Sequence, residues 1–129
     1  MNYRKTKYNN KKITIDGITF DSIKESNRFC ELKLLERAGE IKDLKMQVPF
    51  ELVPALCEPD TIGKRGGIKK GKTIEQAVYY YADFMYYDDK KEKWIVEDVK
   101  SEATKTDVYI IKRKLFKQIY TDYLFLEVE

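Results

Sequence analysis

The chain has 129 residues, of which 43% are hydrophobic and 36% are charged, and its formal net charge is +3. This length and composition predict one globular domain spanning residues 1–129, with a single core and a heavily charged surface. There is no histidine and there are only two cysteines, which excludes Ser-His-Asp and Cys-His catalysis, His-ligated or four-cysteine zinc, and a disulfide framework. Catalysis must therefore use carboxylates, lysines, hydroxyls or a bound metal. No apolar run approaches the ~18 residues of a membrane span, so we expect a protein of the reducing cytoplasm with no membrane partner.

The chain begins with a basic arm, followed by a short hairpin. Residues 1–12 contain lysine and arginine but no acidic residue, which is typical of a segment that contacts phosphates. The residues of this arm expected to bind nucleic acid are Arg4, Lys5 and Lys7. Asp16-Gly17 separates two short apolar segments and predicts a two-residue turn, because such a turn needs a positive φ at both positions.

A helix is predicted next, over residues 23–38. Ser22 and Glu25 have the spacing of a capping box, and Gly39 is suited to the left-handed position that ends a helix. After this helix we expect two short extended segments, residues 41–47 and 50–53, interrupted by a proline.

Residues 54–73 contain repeated glycine and lysine, and we expect them to form a mobile loop. Loops of this length inside a small domain are usually functional or disordered. Its composition favours contact with phosphates, and the residues expected to make that contact are Lys64, Arg65, Lys69 and Lys70.

Two strands, residues 79–87 and 94–100, are predicted to form a hairpin around the polar turn between them. If the turn is centred between Lys90 and Lys91, the numbers of facing residues have a constant sum. The predicted pairs are Tyr81–Lys100, Asp83–Asp98, Met85–Val96 and Tyr87–Trp94. Because side chains alternate along a strand, all four pairs should share one face of the sheet, and the middle of the hairpin should be buried on both faces.

The last elements are a basic helix that begins at Thr106 or Asp107 and a closing strand over residues 123–128. Apolar residues at spacings of three and four predict the buried face of this helix, namely Val108, Ile111, Leu115 and Ile119. Lys112 and Lys114 are expected to contact nucleic acid. The order of elements predicts an α/β (α+β) fold with helices packed on a mixed sheet.

The facing pair Asp83 and Asp98 is the most informative feature of the sequence. Two carboxylates opposite each other on a half-buried sheet repel and lose hydration. A divalent cation bound by both would offset that cost, and Mg²⁺ typically binds one or two carboxylates together with water and phosphates. Lys100 projects from the same side as Asp98. The alternative is an exposed hairpin whose charges are solvated and pair with neighbours.

Glu25 and Gln47 are two further candidates. Glu25 has the position of a capping-box glutamate, but it also lies beside the apolar stripe of its helix and could reach the sheet as a third acidic ligand. Both roles remain open. Gln47 is a candidate only through the family resemblance described in the next paragraph, which implies that it either positions a water at the site or satisfies backbone groups.

The chain resembles the PD-(D/E)XK nuclease superfamily, and in particular a small phage-encoded family of resolvase-like proteins. The segments that carry the resemblance are residues 7–9, 17–25, 47–52, 81–84 and 96–100. The proline of the superfamily motif is absent, since Ala82 precedes Asp83. The resemblance implies a restriction-endonuclease-like αβββαβ core, with a metal site in the central hairpin.

The same resemblance implies the catalytic chemistry. Asp83 and Asp98 would bind Mg²⁺, or Mn²⁺ in its place, with Glu25 as a further acidic member, and Lys100 would act on the attacking water and the phosphate charge. We therefore expect a metal-dependent DNA endonuclease with no small-molecule cofactor, similar to Holliday junction resolvases. It would act on branched DNA as a homodimer in the host cytoplasm. The alternatives are an inactive nucleic-acid-binding accessory protein of the same fold, and a structural protein that assembles through its tyrosine-rich sheet.

Overall fold

A computed structural model describes residues 12–129, so the predicted contacts of Arg4, Lys5 and Lys7 lie outside the described residues. The first elements are a hairpin of β1 (Ile13–Ile15) and β2 (Ile18–Phe20), then helix α1 (Ile23–Arg37). Asp16 and Gly17 have φ values of 51° and 77°, which confirms the turn predicted from the sequence. In residues 12–129 no helix has the length and apolarity needed to cross a membrane.

The centre of the molecule is a mixed four-stranded sheet, so the expected α+β class is confirmed. Its strands are β3 (Ile41–Val53), β8 (Val78–Asp88), β9 (Lys93–Val99) and β10 (Tyr123–Val128), in the spatial order β10-β9-β8-β3. Strands β3, β8 and β9 are antiparallel neighbours, whereas β10 runs parallel to β9. A 3₁₀ turn (Glu102–Thr104) and helix α2 (Asp107–Ile119) connect β9 to β10. The major elements therefore follow the order αβββαβ.

Strand β3 is a single strand of 13 residues, whereas the sequence predicted two segments broken at Pro49. The prediction failed because β3 lies at the edge of the sheet, where the missing N–H of a proline removes no ladder hydrogen bond. Irregularity in β3 appears instead at Asp43 and Gln47, whose φ values of 56° and 49° lie in the left-handed region.

Residues 54–77 form a two-stranded ribbon, so the prediction of an irregular loop over residues 54–73 is wrong. Its short strands are β4 (Leu56–Cys57), β5 (Thr61–Ile62), β6 (Ile68–Lys69) and β7 (Thr73–Glu75). Strand β4 pairs with β7 and β5 pairs with β6, all antiparallel. Gly66 adopts a φ of 84° in the turn that closes the ribbon, which shows why a glycine-rich composition can mark a turn as well as a loop.

The sheet has a core on each face. On one face α2 packs Tyr109 and Phe116 against Tyr80 and Val96. On the other face α1 and the first hairpin cover a cluster that includes Phe20, Phe29, Leu32, Ile41, Phe84 and Ile95. The hairpin of β8 and β9 is thus buried on both faces near its middle, as predicted.

The predicted buried face of α2 is wrong at three of its four positions, since only Leu115 packs against the core. Val108, Ile111 and Ile119 are exposed, whereas Tyr109 and Phe116, seven residues apart, point into the core. Residues seven positions apart lie on the same face of a helix, just as residues at spacings of three and four do. Phe116 is buried because its large ring packs against the rings of Phe50, Tyr80 and Phe125. Tyr109 belongs to the same core cluster.

Helix α1 is fixed to the sheet by a buried ion pair. Arg28 donates from Nε and Nη2 to the two carboxylate oxygens of Glu97, at 2.7 and 2.8 Å. Glu97 is 0% exposed, and the hydroxyl of Tyr86 also donates to it. This bidentate arrangement orients the helix that carries Glu25.

Replacing Arg28 with Leu leaves the carboxylate of Glu97 buried without its cation. Removing one partner of a buried pair typically costs about 3–5 kcal/mol, and we expect a loss of about 3 kcal/mol in the free energy of unfolding, since the arginine is partly exposed. Urea denaturation at pH 7 measures this loss. The control Glu31→Gln removes the exposed partner of the same arginine and should change the value by less than about 0.5 kcal/mol. Equal losses in the two variants would contradict the role given to Glu97.

Candidate functional site

The two predicted aspartates come together where β8 and β9 separate. The predicted register of this hairpin is confirmed, since Met85 pairs with Val96 and Tyr87 with Trp94. The regular ladder, however, ends at the pair Phe84–Glu97. Asp83 and Asp98 are the next residues on each strand and are not paired in the ladder. The predicted pairings of Asp83 with Asp98 and of Tyr81 with Lys100 are therefore wrong. The strands part just where the carboxylates lie.

Asp83 bridges this gap with its side chain. Its Oδ2 atom accepts a hydrogen bond from the backbone N–H of Val99 at 2.8 Å. A carboxylate oxygen thus takes the place of a backbone carbonyl at the end of the ladder. Its other oxygen, Oδ1, accepts from Nε2 of Gln47 at 3.4 Å. The carboxylate is therefore held in one orientation between the two neighbouring strands.

Asp98 is almost completely buried and is incompletely satisfied. The residue is 3% exposed, and its Oδ2 atom accepts a hydrogen bond from the hydroxyl of Tyr80 at 2.5 Å. Among the described residues, its Oδ1 atom has no hydrogen-bond partner of acceptable geometry. The nearest cation is Nζ of Lys100, 3.4 Å from that oxygen. A buried carboxylate oxygen without a hydrogen bond is costly, so this atom is the position where a ligand would stabilise the site most.

Gln47 connects the third predicted acid to this pair. Its Nε2 atom donates to Oε1 of Glu25 at 3.1 Å as well as to Asp83. Ser22 caps α1 by accepting from the backbone N–H of Glu25, as the capping prediction requires. The carboxylate of Glu25, however, is turned toward Gln47 and the sheet. The structure therefore brings Glu25 to the edge of the site through an amide rather than by direct contact with an aspartate.

The backbone of Gln47 explains how the site is shaped. On β3, Met46 packs on the α1 side of the sheet and Val48 on the α2 side; on β8, Phe84 and Ala82 divide in the same way. Strict alternation would place residues two apart on one face. The change of face thus occurs at Gln47, whose φ is 49°, and at the position opposite it, Asp83. A left-handed residue that is not glycine is uncommon and often marks a functional site.

Burial raises the pKa values of all three acids, and the charge of Asp83 raises those of Asp98 and Glu25 further. The pKa of Asp98 is raised to about 6 by desolvation and then by the charge of Asp83. Desolvation also raises the pKa of Asp83. The pKa of Glu25 is raised to about 7, first by desolvation and then by the charge of Asp83. The site thus holds more negative charge than its protein surroundings neutralise.

Lys100 stands at the open side of the aspartate pair. Its Nζ atom lies 4.9 Å from the centre of the Tyr109 ring, which holds the ammonium group over the ring face. A cavity of about 250 Å³ begins here, and its lining includes Asp98, Tyr81 and Lys112. The cavity thus borders Asp98 and Lys100 on the α2 side of the sheet.

The predicted nucleic-acid contacts are distributed unevenly. Lys112 lines the cavity beside Asp98, whereas Lys114 is exposed and lies about 200° further around the helix. The remaining predicted contacts are exposed on the ribbon, at Lys64, Arg65, Lys69 and Lys70. Among the adjacent tyrosines, Tyr80 is buried, whereas Tyr79 and Tyr81 are exposed.

Comparison with protein families assigns most of the chain to a family. The family model described as "Protein of unknown function (DUF1064)" covers residues 5–127. The chain belongs to this family. No curated protein and no solved structure matches it.

The donor set at the aspartate pair fits a hard divalent cation. No three His, Cys, Asp or Glu side chains between residues 12 and 129 lie close enough together to hold a metal by themselves. Mg²⁺, however, needs only one or two carboxylates when water and substrate phosphate complete its coordination. The unpartnered Oδ1 atom of Asp98 and the oxygens of Asp83 supply such a set, and the site contains no nitrogen or sulfur donor suited to zinc.

Replacing Asp98 with Asn should stabilise the protein in the absence of divalent cations. The folded-state pKa of Asp98, about 6, lies above its ordinary value of 3.8, so the folded state binds the proton more tightly and stability falls as pH rises through this range. We expect the variant to gain on the order of 1–2 kcal/mol at pH 8 and almost nothing near pH 4. Urea denaturation in EDTA at several pH values measures the difference, with Asp122→Asn as the exposed control. A variant less stable than wild type at pH 8 would contradict this account.

Proposed function

We propose that the protein is a metal-dependent endonuclease that hydrolyses phosphodiester bonds in DNA. The observation that supports this most directly is the buried pair Asp83 and Asp98, which has an unpartnered carboxylate oxygen and the ammonium group of Lys100 beside it. Excess negative charge next to a lysine suits a site for a cation and a phosphate together. The αβββαβ order and the resemblance described above support the same assignment.

Asp83 and Asp98 would hold the cation, Mg²⁺ or Mn²⁺. When bound, such an ion neutralises phosphate charge and lowers the pKa of the water molecule that it binds. Asp83 contributes a carboxylate already oriented by Val99 and Gln47. Asp98 contributes an oxygen that has no hydrogen bond to give up, because its other oxygen already accepts from Tyr80. Both carboxylates are thus held in fixed orientations before a cation binds.

Lys100 would contact the phosphate. Its Nζ atom lies 3.4 Å from the Oδ1 atom of Asp98, without hydrogen-bond geometry, and 4.9 Å from the centre of the Tyr109 ring. Its side chain borders the open cavity, so a phosphate oxygen in that cavity can reach the ammonium group. The lysine then stabilises the negative charge that grows on the phosphate during hydrolysis.

Glu25 and Gln47 form the other side of the site. The amide of Gln47 donates to both Glu25 and Asp83, so the three side chains form a chain of hydrogen bonds at the end of β3 and β8. In this position Oε1 of Glu25 can accept a proton from water at the site. Glu25 is thus proposed as a participating acid next to the aspartate pair, in addition to its place in the first turn of α1.

DNA binding, dimerisation and location complete the proposal. The basic side chains of the ribbon and Lys112 would contact the phosphate backbone, which positions DNA without reading its sequence. We propose branched DNA as the preferred substrate and a homodimer as the active form, in the cytoplasm of the host cell. The exposed apolar residues of α2, Val108, Ile111 and Ile119, offer a surface for the second subunit.

A cleavage panel tests the nuclease assignment. Purified protein with Mg²⁺ or Mn²⁺ should cut four-way, flap or linear DNA, and cut the branched forms fastest. Asp83→Asn, Asp98→Asn and Lys100→Gln should each lose at least about 100-fold in rate, because the aspartates hold the cation and the lysine supplies positive charge, and both stabilise the transition state. The exposed Asp122→Asn control should cut like wild type.

Two results would contradict the assignment. One is wild-type protein that cuts none of these substrates. The other is aspartate variants that cut as fast as the control. Salt-sensitive DNA binding without any cleavage would support the inactive accessory protein instead, and the absence of DNA binding would support a structural role.

Cation binding can be measured without DNA. Wild-type protein should bind Mn²⁺ in an electron paramagnetic resonance titration, because Asp98 and Asp83 provide hard oxygen donors. Asp98→Asn should weaken this binding at least about tenfold, since even residues that merely support metal ligands cost that much when replaced. Asp122→Asn should leave the affinity unchanged. Equal affinities in the two variants would place the ion elsewhere.

A further inference from the structure

The tip of the ribbon combines positive charge with exposed apolar side chains. Ile62 and Ile68 are directly paired across β5 and β6, and they are 81% and 76% exposed. Directly paired residues of antiparallel strands point to the same side of a ribbon. The two isoleucines therefore form one apolar ridge on one side of the tip.

The turn next to this ridge is narrow. Gly63 donates to the carbonyl of Gly67 at 2.7 Å, and Gly66 donates to the carbonyl of Gly63 at 3.0 Å. Three glycines in this turn add no side-chain bulk, so only Lys64 and Arg65 project from it. The end of the ribbon is thus little wider than two paired strands, whose spacing is about 4.8 Å.

The distal part of the ribbon is strongly basic. Residues 61–72 contain Lys64, Arg65, Lys69, Lys70 and Lys72 and no acidic residue. Every residue between 54 and 76 other than glycine is exposed. Lys70 lies 3.7 Å from Asp60, which partly neutralises it. The isoleucine ridge with basic residues around it is complementary to a polyanion whose charged groups lie outside and whose apolar groups lie inside.

A close backbone contact keeps the ribbon in shape. A Cβ atom on Gly71 would lie 1.7 Å from the carbonyl oxygen of Glu58, so only glycine allows the two strands to approach here. The N–H of Gly71 donates to the carboxylate of Asp60 at 2.8 Å, and the N–H of Glu58 to the carbonyl of Lys72 at 2.8 Å. The tip is therefore supported by a hydrogen-bonded stem, the part of the ribbon outside residues 61–72, and not by an irregular loop.

From these features we propose that the ribbon tip enters the minor groove of duplex DNA and that Ile62 and Ile68 wedge against a base step, bending the duplex. Proteins that bind this groove commonly insert apolar side chains between base pairs and use arginine and lysine along the groove walls. The tip residues 61–72 include no Asn, Gln, Asp or Glu, so any reading of bases in the major groove would depend on contacts of its lysines and arginine with guanine. The inference rests on DNA as the substrate of the proposed function, and it adds a bending site outside the aspartate pair.

The wedge can be tested in EDTA, where no metal-dependent hydrolysis occurs. The probe is a 30-base-pair duplex with a central TA step, 2-aminopurine beside that step and a fluorophore at each end, because TA steps unstack easily. Wild-type protein should raise the 2-aminopurine fluorescence and the energy transfer between the ends. The double variant Ile62→Thr/Ile68→Thr should lose both signals and bind roughly tenfold more weakly.

Two control variants separate the wedge from the rest of the ribbon. Ile74→Thr changes an isoleucine that is 59% exposed on the stem, and it should bend DNA like wild type. Lys64→Gln/Arg65→Gln keeps the ridge, so bending at saturation should persist, while the slope of log affinity against log salt should become shallower by about 1.8. Netropsin, which occupies the minor groove, should displace the protein, and methyl green, a ligand of the major groove, should not.

Several outcomes would overturn the wedge. They are a double Ile variant that bends DNA like wild type, displacement by methyl green alone, and sedimentation showing that the same variant dissociates a dimer, which would assign the ridge to a second copy of the chain. The nuclease proposal fails separately. Isoleucine-dependent bending without cleavage in Mg²⁺ would leave the wedge standing, and cleavage with unchanged bending would remove only the wedge.

Discussion

The burial of two like charges side by side is the constraint on which the rest of the site depends. Asp83 and Asp98 lose hydration where β8 and β9 separate, which raises the pKa of both, and the charge of Asp83 raises the pKa of Asp98 further. The protein offsets part of this cost with a backbone N–H at Asp83 and a tyrosine hydroxyl at Asp98. One oxygen of Asp98 stays without a hydrogen bond. The fold thus keeps open a position that a cation would satisfy.

The neighbouring residue Glu97 shows what full neutralisation looks like. It is as deeply buried as Asp98 but faces α1, where Arg28 binds both of its oxygens. Because side chains alternate along β9, the adjacent residues Glu97 and Asp98 face opposite sides of the sheet. The carboxylate of Glu97 is fully paired, whereas that of Asp98 is not. The ion pair of Arg28 and Glu97 also helps to position the site, because it fixes α1 against the sheet, and α1 carries Glu25. A wholly structural explanation of Asp98 would require a similar partner, and Lys100 at 3.4 Å provides only an incompletely aligned one.

The sequence predicted those parts of the fold that depend on local patterns. The hairpin register followed from strand alternation and a polar turn, and α1 followed from Ser22 and Gly39, which cap it. The buried face of α2 was missed because periodicity alone does not choose between an aliphatic and an aromatic stripe, and packing against other rings decided it. The ribbon was missed because its pairing depends on a close approach at Gly71, which composition does not reveal.

Gln47 illustrates the limit of sequence for the site itself. Its part in linking Glu25 to Asp83 depends on a left-handed backbone inside a strand, which no pattern of residue types indicates. The same strands, β3 and β8, continue past this point into the ribbon. Ile68 of the tip precedes Asp83 by 15 residues, so at ~3.3 Å per residue the tip can lie at most about 50 Å from Asp83. That distance exceeds one turn of B-DNA, about 34 Å. If the protein binds DNA as proposed, the ribbon is therefore long enough to place its basic tip on the duplex more than a helical turn from the aspartate pair.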